Sequence, residues 1–427
     1  MNFIKNISNT YKYIFFLILI SLSSLLFSLL FINKFPNIID NQNNMIFENI
    51  TFGHGPLIFN LINHWEYSSK FLNQIDFVLQ NLPILPLLIF AISKLTTNFY
   101  LIIIIKNIIL FTVIFWTIIF YLQSLNKNCN YLFVFLAIFL IPYNLFVSLN
   151  FEYSDNLVAI LLPCLFLILL SNLNQKYLLS SVILFILYLT KTSMFFICTG
   201  LPLIILVLEN KEKFKSKKYM ILIGPLIAMI IWGIFSYAKT NRLAFGTNSL
   251  TVSSMGLTIA THKNFFEYYP EKSIDLLLRK IEIPKSIKNE WEFYDYFKKK
   301  NKEYLSDKEN LINYIKSCFK KIPIILFYVK RDSSFPDADG NYDNKIRYSL
   351  IFDKLFINIS ILVFVFNIIL QLKNKKNCRD DLIFIFTLNL ALLPLIAGWA
   401  TAKHLVPISI LCYFYLIHRF FIFEIKK

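Results

Sequence analysis

Charge is scarce in this sequence. Only 16% of its 427 residues are Asp, Glu, Lys or Arg, where a soluble domain carries about a quarter. Acids are the scarcer sign, 26 against 43 basic residues. Cysteine, with six residues, shows no CxxC and no metal-like spacing, so the sequence implies no disulfide framework. Residues 239–347 hold no glycine-rich phosphate loop, no HExxH and no GxSxG, so P-loop, zinc-protease and serine-hydrolase chemistry find no support there.

What is present is apolar. Hydrophobic residues make up 56% of the chain, aromatics 17%, and mean hydropathy is +0.57. Crossing a bilayer takes about 20 apolar residues per helix, and several such runs are visible. The fold expected is all-α, a polytopic helical membrane protein of about ten transmembrane helices with interfacial helices and a modest outer-face region. The formal net charge of +17 fits an excess of Lys and Arg on cytoplasmic loops. No nucleic-acid partner is expected, because the basic residues sit beside apolar runs and not on one soluble face.

The runs fall at residues 13–32, 100–122, 131–149, 156–173, 177–189, 193–208, 219–237, 349–372, 382–397 and 405–422. No small-residue cleavage site follows the first, so it reads as a retained span. Residues 82–95, LPILPLLIFAISKL, are short and carry two prolines; they are read as interfacial. The two densest basic loops, ENKEKFKSKK and KNKKNCR, then both fall inside, as the positive-inside rule prefers. Three parts follow: an N-terminal transmembrane module, 1–238, whose outer loop 34–98 carries the candidate catalytic acid; an outer-face, periplasmic region, 239–347; and C-terminal transmembrane helices, 348–427. Both termini lie inside.

Loop 34–98 is long, and long loops between spans are functional or disordered; this one is too aromatic and aliphatic for disorder. It contains Asp40, Glu48, His54 and Glu66. A carboxylate there is a candidate general base, or a solvated loop charge. GHGP, with His54, reads as a tight turn whose histidine orients an acid, contacts phosphate, or is merely exposed. His64-Trp65-Glu66-Tyr67 reads as the opening of an interfacial helix, its aromatics suited to the headgroup region. Glu152 and Asp155 lie in a short outer turn, as acceptor or metal ligands, or with Asp155 capping the helix that follows. Lys191, between two apolar runs, is a phosphate-binding cation or a snorkelling lysine. Lys403-His404 offers the same chemistry at the last span. Lys106 is a snorkelling lysine or a site cation. Residues 310–330 are amphipathic and basic, suited to lying on the outer leaflet.

Several of these features together resemble the GT-C superfamily of polytopic glycosyltransferases, which includes polyprenyl-phosphate-sugar-dependent protein mannosyltransferases and lipid A aminoarabinose transferases. They are an acid after the first span (Asp40), a proline-bearing interfacial segment (LPILP), an acidic outer turn (Glu152, Asp155), a Leu189-Thr190-Lys191 turn and the terminal Lys403-His404-Leu405-Val406-Pro407 element. The chain departs from the pattern in lacking an Asp-Asp or Asp-Glu pair after the first span. The base therefore stays open between Asp40, Glu48 and Glu66. The resemblance implies transfer of a sugar from a polyprenyl-phosphate donor to a lipid, glycan or protein acceptor in envelope polysaccharide synthesis. It implies Asp40 or Glu48 as base, with Lys191, Lys403 and His404 on the donor phosphate. Glu152 or Asp155 then orients the acceptor or a divalent metal, Mg or Mn, and His54 and Glu66 support. The Asn-, Ile- and Lys-heavy vocabulary suggests a bacterial inner membrane, with the site facing the periplasm. Rival readings are an O-antigen ligase or polymerase type of enzyme and a lipid-linked sugar flippase or transporter; no convincing internal repeat favours the transporter.

Overall fold

The computed structural model describes residues 55–64, 69–71, 75–77, 82–125, 154–209, 217–243, 286–327, 344–373, 378–398 and 402–423, with isolated positions elsewhere. The apolar runs within these ranges are helical: α1 Gly55–His64, α2 Ile84–Ser93, α3 Phe99–Ser124, α4 Asp155–Leu170, α5 Lys176–Tyr188, α6 Phe195–Leu208, α7 Ile223–Thr240, α8 Glu290–Ser306, α9 Lys308–Phe327, α10 Asn344–Lys373, α11 Arg379–Ala397 and α12 Ala402–Phe423. Four stretches are long and apolar enough to cross a membrane: Phe99–Ser124, Lys217–Thr240, Lys354–Lys373 and Arg379–Ala397. The runs expected near 13–32 and 131–149 lie outside the described residues, apart from isolated helical positions.

The all-α class expected holds, with one small addition: Ser69–Phe71 (β1) pairs antiparallel with Ile75–Phe77 (β2), in the register Lys70 to Asp76. Strands of three residues leave too little alternation to detect in an aromatic loop. One expectation needs correction: His64 ends helix α1 instead of opening a helix, because Gly55-Pro56 from the GHGP element starts it. Proline fits a first helical turn, where its missing N–H is no loss.

Helix α4 is the axis of the bundle. Every residue from Asp155 to Leu170 is buried, as expected of a helix apolar on all faces. It packs against α3, α5 and α12. Its 16 residues rise about 24 Å. Small residues bring α5 and α7 together: Gly224 N–H donates to Ser181 Oγ at 2.6 Å, and a Cβ at 224 would collide with the Ser181 carbonyl. Close approach through small residues is how apolar helices pack without water to drive them. Helix α7 stops at Asn241, whose left-handed backbone (φ 56°) suits a residue just past a helix C-terminus.

The helices share two common ends. At one, the C-termini of α3, α4, α6, α10 and α12 meet the N-termini of α5, α7 and α11. Glu209, 2% exposed, accepts Arg379 Nε at 2.9 Å and Lys176 Nζ at 3.4 Å, and also pairs with Arg379 Nη2 and Tyr177 Oη. Arg379 reaches Leu169 O at 3.1 Å as well. Asp381 accepts Tyr415 Oη at 2.6 Å and Gln371 Nε2 at 2.7 Å and pairs with Arg419. His418 shares a hydrogen bond with Tyr121 and lies 3.5 Å from Asp380. Lys218 Nζ donates to Leu206 O at 3.2 Å, and Asn172 N to Ser124 Oγ at 3.2 Å. Asp380 and Asp381 sit at a helix N-terminus and Arg419 near a C-terminus, the signs the backbone dipoles favour. The opposite end gathers the starts of α3, α4, α6 and α12 and the ends of α5, α7 and α11.

Beside that opposite end lie α8 and α9. Glu290, at the start of α8, accepts the Leu79 backbone N–H with both oxygens, at 3.1 and 3.0 Å, which fastens α8 to the segment after β2. Arg242, just past α7, pairs with Asp295 at 2.8 Å and lies 5.1 Å over the Trp291 ring.

Candidate functional site

The mouth of the bundle is built around one ion pair. Asp155 is the first residue of α4 and is 3% exposed; a carboxylate there faces the partly positive end of the helix. Lys191 Nζ pairs with Asp155 Oδ1 across 36 positions of chain. The lysine reaches it because the chain is extended at 191 (φ −153°, ψ 130°) between the end of α5 and a 3₁₀ turn, Thr192–Met194, that leads into α6. Its side chain is 19% exposed and that of Asp155 4%, so the ammonium is the member that faces outward. Thr190 Oγ1 donates back to Ile186 O at 2.7 Å and finishes α5.

The proline-bearing segment converges on the same point. Ile84 N–H, in the first turn of α2, donates to Leu189 O at 3.2 Å. Ten residues give α2 a length of about 15 Å, half a bilayer core. The LPILP segment, the start of α4 and the Leu189-Thr190-Lys191 turn are therefore neighbours in space.

His404 is placed at the same end by helix register. Phe166 of α4 lies 6.4 Å from Tyr415 and 6.5 Å from His418 of α12, and both helices run away from the mouth. Eleven positions back along each from Phe166 and Tyr415 are Asp155 and His404, so the two stand at one level. His404 is half-buried. Lys403 lies within α12, its side chain outside the described residues. Asp40, Glu48, His54, Glu66 and Glu152 also lie outside them. Lys106 is fully buried, about 10 Å along α3 from its start, which removes the snorkelling reading. Arg242 is occupied by Asp295 and Trp291.

Sequence reasoning missed the ionic network at the other end and the docking role of Leu189. A signal existed for the first: Glu209, Arg379, Asp381 and Arg419 all lie within a few residues of span boundaries of one parity. For the second there was none, since the contact is made by a backbone carbonyl.

Chemically, the described residues of the mouth include a cation held in place by a buried carboxylate, with an imidazole at its level. An anion that displaces Asp155 from Lys191 gains a charge-assisted hydrogen bond. Among the described residues no three His, Cys, Asp or Glu side chains gather to hold a metal. Among the described residues, Asp155, already neutralised by Lys191, is by itself a poor donor set for Mg or Mn, which want several oxygens.

Compared with known proteins, the chain matches no family model, no curated protein and no solved structure.

Proposed function

We propose that this chain is an integral membrane glycosyltransferase of the GT-C kind. It crosses the membrane about ten times, with both termini inside and the Asp155–Lys191 mouth facing the periplasm. It moves a sugar from a polyprenyl-phosphate donor to a lipid, glycan or protein acceptor. The observation that carries the reading is the pairing of Lys191 with Asp155 beside the docked α2 segment. It joins an outward-facing cation to a short apolar helix where a lipid-borne phosphate would arrive. The orientation is the one that puts the short basic loops 209–218 and 373–379 inside, where short-loop Lys and Arg are preferred.

In this reading the donor phosphate takes the Lys191 ammonium from Asp155, and His404 lies at its level. A carboxylate of the early outer loop, Asp40 or Glu48, takes the proton from the acceptor hydroxyl or amine. The acceptor atom attacks the anomeric carbon from the face opposite the phosphate, and the bond from that carbon to the phosphate oxygen breaks. Polyprenyl phosphate leaves with one more negative charge, which Lys191 stabilises as it develops. Asp155 receives the ammonium again when the product departs.

The test is transfer from a radiolabelled polyprenyl-phosphate sugar by protein in nanodiscs. Asp40→Asn is expected to lose transfer by roughly a hundredfold or more, the scale of a general base, while still binding donor. Full activity in both Asp40→Asn and Glu48→Gln would remove the base assignment. Donor translocation without any glycosylated product would replace the transferase with a flippase.

A further inference from the structure

Helix α9 carries three distinct faces. At about 100° of turn per residue, Tyr314, Ser317, Lys321 and Ile325 share one side, and this side is docked. Tyr314 Oη donates to Ala397 O at 2.6 Å. Lys321 Nζ, fully buried, donates to Ile396 O at 3.1 Å and Gly398 O at 2.6 Å. A second side holds Leu311, Ile312, Ile315 and Phe319, exposed by 40%, 41%, 45% and 67%. A third holds exposed Lys316 and Lys320. A helix surface in water has no use for the second side.

The docked side fixes where α9 lies. Tyr314 and Lys321, seven residues apart and about 10 Å along the helix axis, both grip the last carbonyls of α11. Helix α9 therefore crosses the end of α11 and does not run alongside it. Its own last turn is held by α10: Lys354 Nζ donates to Ile325 O, and Asn358 Nδ2 to Leu326 O at 2.8 Å. The last turn of α10 meets the first turn of α11, where Gln371 Nε2 donates to Asp381 Oδ2 at 2.7 Å. Ala397 and Lys354 are thus the far ends of the two membrane-length stretches Arg379–Ala397 and Lys354–Lys373. Both anchor points sit at the level where those stretches leave the hydrocarbon. Helix α10 likewise leaves apolar side chains uncovered, among them Leu355 and Leu362 at 47% and 69%.

We infer that α9 lies flat in the headgroup layer at the mouth end, with Leu311, Ile315 and Phe319 sunk into the acyl boundary and Lys316 and Lys320 among anionic headgroups. The partner is the lipid leaflet itself: the depth comes from the anchors and the charge from the lysines, the pairing expected of an interfacial helix. The inference goes beyond the transfer reaction and holds whichever lipid-borne substrate the mouth accepts.

The experiment uses the full chain in nanodiscs containing phosphatidylglycerol, in a background with all six native cysteines replaced by alanine, with single cysteines reacted with a charged, membrane-impermeant maleimide. Relative to that parent, Ile315→Cys and Phe319→Cys are expected to react roughly tenfold or more slowly than Lys316→Cys. In detergent stripped of lipid by a mild denaturant the three rates converge. Ile230→Cys, on the exposed face of α7 (60%), serves as the control for embedding. If Ile230→Cys is protected while Phe319→Cys reacts as fast as Lys316→Cys, α9 is in water and the inference is overturned. If Ile230→Cys also reacts freely, the membrane reading of the chain fails as well.

Discussion

Lys191 and Asp155 form an ion pair at the mouth of the bundle, with the carboxylate buried and the ammonium at its rim. The asymmetry sets what each does. Asp155 is fixed by the start of α4, whereas Lys191 sits on a short extended link and can exchange one anion for another.

Removing the carboxylate should be felt in stability and in turnover together. Asp155→Asn leaves a largely buried ammonium without its counter-charge and is expected to cost about 2 kcal/mol, less than for a fully buried pair because Lys191 still reaches water. Reversing the pair, Asp155→Lys with Lys191→Asp, should recover only part of the melting temperature, because a cation is disfavoured at the start of α4. It should not recover transfer, because the cation is then buried at α4 and absent from the rim. Thermal melts and transfer assays on the two variants check this.

At the opposite end the network should act on stability alone. Glu209→Gln strips Arg379 and Lys176 of their shared carboxylate in a fully buried position and is expected to cost roughly 3–5 kcal/mol. Lys176→Met removes only the longest of those contacts and should cost less, about 1 kcal/mol. Neither variant should change the donor KM of the folded fraction. The melting temperatures in detergent should fall in that order.

Lys321 gives a pH dependence. Burial pulls its ammonium down from 10.5 to about 8, against its bonds to the α11 carbonyls. Between pH 8 and 10.5 the unfolded chain therefore holds more proton at this group than the folded chain. Stability rises with pH across that window. Melting temperatures at pH 7.5 and 9.5 should show the rise in the parent, and Lys321→Met should remove it.

Much of the helical frame was legible because apolar runs bounded by charge leave few alternatives: 100–122 became Phe99–Ser124, and 382–397 became Arg379–Ala397. The parity that put the basic loops 209–218 and 373–379 on one side is matched by the ionic network that ties Glu209 to Arg379. Partner choice was not legible. Glu209 and Arg379 are 170 positions apart, and nothing local in either names the other. Likewise Asp155 and Lys191 appeared as separate candidates for acceptor and phosphate, while their mutual neutralisation is a property of the fold. The β1–β2 hairpin escaped because its strands are too short to show a period.

The central claim is that Lys191 receives the donor's phosphate. Its most direct measurement is equilibrium binding of radiolabelled polyprenyl phosphate, without sugar or acceptor, to the full chain in nanodiscs, comparing the parent with Lys191→Ala. Loss of one charge-assisted contact should weaken binding by roughly tenfold or more, with the fold intact by melting temperature. Equal affinity in a folded Lys191→Ala variant would contradict the claim.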